Sequence, residues 1–302
     1  LPIWKNENGD MICVGSIEEL QKLSGGKLPM RDGELDLHMP YIDEITFMHP
    51  DHTDSTDSKY LMKRVSEVFD CWFESGAMPY AQLHYPFENK EDFEKNFPAN
   101  FIIEAIDQTR GWFYTLHILS SILFNSPAFN NVIVTGHIAA ADGEKLSKRK
   151  KNYPDPTALF ETLGVDSMRF YFYSSPVVLG DGVRFSEKHV EEMVKKFTLT
   201  IWNTYSFFIT YANIDNWNKE KLQQNFNPQN PLDKWILSEL NQLIEQVTSE
   251  MDKYNMMKAT RPMIDFIDNL SNWYIRRSRR RFWKSENDGD KNEAYQTLYT
   301  VL

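Results

Sequence analysis

The stretch that most constrains the fold of this 302-residue chain is residues 101 to 138, where two short apolar segments flank a helical periodicity. Phe101-Ile102-Ile103 reads as a short buried strand and Asn131 to Ile138 (NVIVTGHI) as a second. Between them Gln108 to Phe124 reads as a helix, because Trp112, Leu116, Leu119 and Leu123 recur at three- and four-residue steps. A tight turn cannot join parallel strands, so strand, helix and strand together predict a crossover unit of a parallel sheet. The expected class is α/β, with ligands at the carboxyl edge of the strands.

The rest of the chain divides around that unit. Residues 1 to 60 are short apolar pieces broken by Gly and Pro, with an acidic stretch from Asp43 to Asp57, and read as an irregular connecting region. Residues 61 to 140 form the α/β part. A polar, basic loop region follows over 141 to 185, with short helices near Thr157 to Leu163 and Ser167 to Tyr173. From 186 to 302 the chain reads as helical: after Pro231, Ile236, Leu240, Leu243, Val247, Met251 and Tyr254 repeat at steps of four and three. That stripe needs partner helices, which predicts a bundle. No apolar run is long enough to cross a bilayer, and Cys13 and Cys71 form no CxxC pair, so the expected setting is cytoplasmic and reducing, with no membrane partner.

The formal net charge of -10 argues against wholesale coating of nucleic acid, but two basic clusters stand against it, Lys145 to Lys151 (KLSKRKK) and Arg276 to Arg281 (RRSRRR). The first puts Lys145, Lys148, Arg149, Lys150 and Lys151 within seven residues. Such a run repels itself unless solvent or a polyanion neutralises it, and Gly143 offers a pivot that could swing it over a triphosphate. Attack of a carboxylate on a phosphate needs no general base, so catalysis there reduces to alignment and charge neutralisation. Alone, KLSK is equally a solvated basic loop.

Three segments in order give the loop its context: Val68 to Gly76 (VFDCWFESG), Glu104 to Phe113 (EAIDQTRGWF) and Lys145 to Arg149 (KLSKR). They resemble the DVWFDSG, EGxDQxRGWF and KMSKS blocks of class I aminoacyl-tRNA synthetases, with Leu146 where Met is usual and Ala105 where Gly is usual. The resemblance extends through NYPDP and SSPV to NWYIRRSRRR and covers most of the chain. DQxRGWF points to the isoleucine branch, of the eukaryotic cytosolic type. It implies the second half of a Rossmann-type nucleotide-binding domain followed by an all-α anticodon-binding bundle. No HxGH occurs in the 302 residues, and the editing insertion normal to the family is absent, so a partial enzyme, inactive alone, is expected.

The resemblance also implies roles. Lys145, Ser147 and Lys148 would be catalytic, with ATP bringing Mg²⁺ and no protein-bound metal. Glu104, Ala105, Asp107, Gln108, His137 and Lys148 would bind ATP or the adenylate, the two carboxylates accepting from the ribose. Trp72, Gln108 and Trp112 would line the isoleucine pocket. From the residues alone, Asp107 is equally a helix cap, either Trp is equally core, and His137 is equally a solvent-facing histidine. The loop His49-Pro50-Asp51-His52 holds one ligand pair and reads as solvated.

Near the C-terminal side, five arginines between Arg276 and Arg281 fan across about 200° of a helix, so some must face solvent or phosphate. By resemblance Arg149, Lys150, Lys151, Arg276, Arg277 and Arg280 would contact tRNA(Ile). The activity implied is ATP-dependent activation of isoleucine and its transfer to that tRNA. A valine-specific synthetase and a non-catalytic RNA-binding module are the rivals; the module would have no use for Glu104, Asp107, Gln108 and the two tryptophans.

Overall fold

In a computed structural model the described residues are 1–147, 149–150, 152–283 and 288–302. The first sixty residues are more ordered than the sequence suggests. Strands β1 (Ile3–Lys5) and β2 (Met11–Cys13), helix α1 (Ile17–Leu23) and the short pairs β3 (Met30–Arg31), β4 (Glu34–Leu35) and β5 (Phe47–Met48) lead to β6 (Leu61–Arg64). They form an antiparallel sheet of order β2-β1-β6-β5, over a core of Trp4, Val14, Leu20, Ile42, Ile45, Phe47 and Met62. The irregular connection expected over 1 to 60 is therefore a small packed layer, and β6 carries it past residue 60. Two- and three-residue strands are too short to show alternation, which hid them.

Helices α2 (Cys71–Gly76), α3 (Met78–Ala81) and α4 (Lys90–Asn96) precede the crossover. Asp70 caps α2 by accepting from the Trp72 amide at 2.7 Å. Strand β7 (Ile102–Ala105), helix α5 (Trp112–Phe124) and strand β8 (Val132–Thr135) then form the parallel unit, with Ile102 opposite Val132 and Ala105 opposite Thr135. Only one face of the pair is covered: Ile102 and Ile133 are buried, while Phe101, Ile103 and Val132 are exposed. The strand at Asn131 to Ile138 divides at Gly136, whose amide donates to the Val177 carbonyl at 2.7 Å. A Cβ there would sit 1.8 Å from the Asp181 carbonyl oxygen, so only glycine lets the chain through. Beyond it β9 (Ile138–Ala139) takes a new parallel partner.

Helices α6 (Pro156–Leu163) and α7 (Val165–Tyr173) follow, then β10 (Val183–Arg184), which pairs with β9, and α8 (Glu187–Met193). A π turn at Val194–Thr198 joins α8 to α9 (Leu199–Ile214). Helix α10 (Pro231–Met251) starts where Asn230 caps it with Pro231 in its first turn. Helix α11 (Met256–Asp268) passes through a second π turn, Asn269–Ile275, into α12 (Arg276–Trp283), and α13 (Asp288–Val301) closes the bundle. Its core holds Phe208, Trp217, Ile236, Leu270, Tyr274, Phe282, Tyr295 and Leu298. No helix among the described residues is long and apolar enough to cross a membrane.

Candidate active site

Both parallel strands end at the same edge. Because Glu104 faces Val134 and Ala105 faces Thr135, the chain leaving β7 and the chain leaving β8 emerge side by side. The first continues as a 3-10 turn, Ile106–Arg110, and the second runs through His137 and β9 into the lysine loop. Glu104, Asp107 and His137 are exposed there, and none of their side chains has a hydrogen-bond or ion-pair partner among the described residues. Ala105 is half-buried beneath them. The arrangement presents two free carboxylates and an imidazole at the carboxyl edge, as an α/β ligand site requires.

The helix begins at Trp112, four residues later than Gln108, and the cap is not Asp107. The Gln108 side-chain oxygen instead accepts from the Trp112 amide at 2.8 Å. That leaves Asp107 free and fixes Gln108. Gly111 between them has no room for a side chain: a Cβ would lie 2.5 Å from Gln108 Oε1 and 3.1 Å from the Trp72 ring. The Trp72 indole therefore rests on Gly111, beside Gln108, and Trp72, Gln108 and Trp112 are brought together.

The two tryptophans differ in their surroundings. Trp112 donates from its indole nitrogen to the Ser75 carbonyl at 3.0 Å and packs on the core of Ile102, Phe113, Leu116 and Ala128, so it also ties α2 to α5. Trp72 is 43% exposed and offers a bare aromatic face. Gly76 permits this approach of the two helices, since a Cβ there would meet Thr115 and Leu119 at 2.9 Å.

The lysine loop starts as a hairpin. Lys145 bridges Ala139, the Ala140 amide donates to the Glu144 carbonyl at 2.9 Å, and Gly143 turns with φ +88°. Asn152 closes it, accepting from the Ser147 amide at 2.8 Å and donating to the Lys145 carbonyl at 3.1 Å. Lys150 is paired with Glu144 at 2.6 Å, while Lys145 and Arg149 point into solvent; Lys148 and Lys151 lie outside the described residues. Under the loop is an apolar cavity of about 360 Å³ walled by Ile138, Leu146, Tyr153, Leu159, Met168 and Phe185. A larger cavity of about 670 Å³ lies away from this edge, walled in part by Trp4, Val14, Leu37 and Phe87.

Gly111, Asn152, Arg184 and the Gly136–Asp181 contact were not singled out as site residues from the sequence. Glycine and asparagine next to a motif were the available signal; nothing local marks Arg184, which reaches the loop only through strand pairing. At the other candidate cluster, His52 stacks on Tyr60 at 3.9 Å and His49 accepts from the Asp51 amide at 3.3 Å, so both serve their own loop. No group of three or more His, Cys, Asp or Glu among the described residues is arranged to hold a metal ion.

The five arginines near the C-terminal side separate cleanly. Arg281 makes a two-pronged bond to Asp233 at 2.7 and 2.8 Å and pairs with Asp290 at 2.7 Å. Asp233 is fully buried and also accepts from the Tyr274 hydroxyl at 2.7 Å; burial, then that carboxylate, pushes the Tyr274 hydroxyl far above its ordinary pKa. Arg276, Arg277, Arg279 and Arg280 are exposed without a carboxylate partner among the described residues, and Arg277 lies 3.6 Å over the Trp273 ring. Arg276, Arg277 and Arg280 thus sit on a basic, aromatic-backed surface suited to phosphate.

Comparison with known proteins agrees with this geometry. Residues 233–302 match the family described as anticodon-binding domain of tRNA ligase. An isoleucine--tRNA ligase of Protochlamydia amoebophila is 49% identical over 302 residues, and one of Treponema denticola is 51% identical over 314 aligned positions. Each match takes in all of this chain but only 28% of the relative's length. Among solved structures, the ternary complex of Agrobacterium radiobacter K84 agnB2 LeuRS with tRNA and LeuAMS aligns with 99% of this chain and 36% of its own, with TM-score 0.71 and 15% identity. Mycobacterium tuberculosis methionyl-tRNA synthetase bound by methionyl-adenylate aligns with 72% of this chain and 42% of its own, with TM-score 0.57 and 22% identity. These two likenesses are of fold. The match of residues 1–183 to the family of tRNA synthetases class I (I, L, M and V) takes in more than half of the chain and every motif that shapes this edge, so the chain belongs to that family.

Proposed function

We propose that the protein containing this chain activates isoleucine with ATP and transfers it to tRNA(Ile). The observation that carries the reading is the shared edge, where the Glu104–Asp107 turn, the Trp72–Gln108–Trp112 cluster and the lysine loop all emerge. The relatives named isoleucine--tRNA ligase, at about half identity along the whole chain, support the choice of isoleucine.

In this reading the isoleucine carboxylate attacks the α-phosphorus of ATP, the bond to the β-phosphate breaks, and pyrophosphate leaves. A terminal ribose hydroxyl of the tRNA then attacks the carbonyl carbon and AMP leaves. Glu104 and Asp107 accept from the adenylate ribose, with Ala105 and His137 beside the nucleotide. Trp72 and Trp112 form the aliphatic slot, with Gln108 next to the aminoacyl group. Lys145, Ser147 and Lys148 align and neutralise the phosphates, and Mg²⁺ arrives on ATP. Isoleucine and valine differ by one methylene, worth a modest factor in one pocket; isoleucine enzymes are the standard illustration of that limit. Arg149, Lys150, Lys151, Arg276, Arg277 and Arg280 hold the tRNA backbone. We assign residues 61 to 140 to the catalytic half-domain, 141 to 185 to the loop region and 186 to 302 to the start of the anticodon-binding bundle, in a cytoplasmic protein.

Isoleucine-dependent exchange of pyrophosphate into ATP by the full-length protein tests this. Lys148→Ala should lower kcat with little change in the isoleucine KM, because the slot is elsewhere. Normal kcat with a raised isoleucine KM would sink the role of the loop, and no exchange by the unaltered protein would sink the function.

A further inference from the structure

We propose that Arg184 is a positioning residue for the lysine loop, acting through Gly143. Alternation along β10 sets it up. Val183 packs inward on the cluster of Ile133, Val177 and Val178, and Phe185 is buried with Leu159 and Met168, so Arg184 between them must point out. Parallel pairing places Arg184 opposite Ala139, the last residue of β9, and the Phe185 amide donates to the Ala139 carbonyl at 2.9 Å. The backbone of Arg184 is thereby fixed against the strand from which the loop departs.

Its guanidinium then lies over the loop's pivot. A Cβ built on Gly143 would be 3.2 Å from Nε, 3.3 Å from Cζ and 3.4 Å from Nη2 of Arg184. Three atoms of one planar group at nearly equal distance mean that the plane faces Gly143 flat. Gly143 is glycine for two reasons at once: its φ of +88° disfavours a side chain, and the guanidinium occupies the space above it. Arg184 has no carboxylate within ion-pair distance among the described residues, so nothing draws it off the loop.

This placement has a function because the loop is otherwise weakly held. Beyond the Ala140–Glu144 and Gly143–Ala140 backbone bonds, the base of the hairpin has little apolar packing, and its cations repel one another. A rigid planar group seated on the turn limits the arc through which Lys145 and its neighbours move. Arginine suits that task and lysine does not, because only the guanidinium presents a flat face.

Amide hydrogen exchange in the full-length protein tests the anchor without using activity. In Arg184→Ala the amides of Ala140 and Gly143 should exchange roughly 10-fold faster, as expected when a hydrogen-bonded turn is deprived of one supporting interaction. Arg184→Lys should behave as Arg184→Ala does. Unchanged exchange in both variants overturns the proposal, and full protection in Arg184→Lys overturns the flat-packing account in favour of charge alone.

The kinetic arm rests on the function proposed above. Pyrophosphate exchange by Arg184→Ala should show kcat down roughly 10- to 100-fold with the isoleucine KM within about 2-fold, the pattern of misplaced phosphate-binding groups. A raised isoleucine KM with normal kcat would overturn the positioning role. Failure of the unaltered protein to exchange would overturn the function instead, and the amide measurement would still decide the anchor.

Discussion

Arg281→Ala should unfold the helical bundle far more readily than Arg280→Ala, although the two residues are neighbours on one helix. Arg281 is 11% exposed at its side chain and holds a carboxylate, that of Asp233, with no solvent contact at all. Removing the guanidinium leaves that carboxylate with the Tyr274 hydroxyl and no opposite charge. Breaking a buried pair in this way costs about 3–5 kcal/mol, a large part of the roughly 5–15 kcal/mol that holds a domain together. Arg280 is exposed without a carboxylate partner among the described residues, so its truncation should stay within about 0.5 kcal/mol. Urea unfolding read by tryptophan fluorescence measures both, since Trp217 lies in the same core. With a slope of about 1–3 kcal/mol per molar urea, Arg281→Ala should move the midpoint down by roughly 1–3 M. The double variant Asp233→Asn/Arg281→Met should recover a good part of the loss, because it removes the orphaned charge and leaves an acceptor for Tyr274. Equal midpoints for Arg281→Ala and Arg280→Ala, or no recovery in the double variant, would refute the reasoning.

Other expectations follow from the same geometry. Arg276→Ala, Arg277→Ala and Arg280→Ala should weaken tRNA binding, and each phosphate interaction removed should flatten the slope of log affinity against log salt by about 0.7–0.9; an unchanged slope removes that arginine from the interface. Trp112→Ala should weaken isoleucine binding in titration and shrink the preference over valine, and unchanged affinity would return Trp112 to the core alone. Gly111→Ala should push Trp72 aside and break the Gln108 cap, costing roughly 1–2 kcal/mol and raising the isoleucine KM; a wild-type KM would show that Trp72 is no part of the slot. Burial alone would raise the pKa of the Asp215 carboxyl, but Lys291 at 2.6 Å and the Tyr295 hydroxyl at 2.5 Å hold it below its ordinary value. The stabilisation is then complete above about pH 4 and fades as pH falls through the lowered pKa, so Asp215→Asn should cost roughly 1–3 kcal/mol at pH 7 and much less near pH 3. An equal cost at both pH values would count against it.

The crossover unit was legible because a helix of thirteen residues repeats its apolar face three times, and because parallel pairing leaves few ways to connect its strands. The bundle was legible for the same reason at α10. The N-terminal sheet was not: Ile3–Lys5, Met11–Cys13 and Phe47–Met48 are each shorter than two periods of a strand, and their pairing is set by contacts some forty to sixty residues apart. At the site, the residue types bearing charge or an indole could be read directly. Which of them would be tied down could not. Gln108 rather than Asp107 became the helix cap because a 3-10 turn delayed the helix, and Arg281 rather than its neighbours went inside because Asp233, forty-eight positions away, waited there.

The π turn at Asn269–Ile275 gives the arginine helix an unusual sensitivity to length. An α-helix advances about 100° per residue, and a π turn accommodates one residue more than an α turn over the same rise. Loss of a single residue between 269 and 275 would let the segment relax to ordinary α geometry and rotate everything beyond it by about 100° relative to α11. Tyr274 and Arg281 would leave Asp233, and exposed arginines would turn toward the core. The segment acts as a phase marker in the chain: related sequences can vary freely in residue identity along α12, but their spacing from Phe266 to Arg281 should be held constant, with indels accumulating instead in surface turns such as Asn216–Asn230.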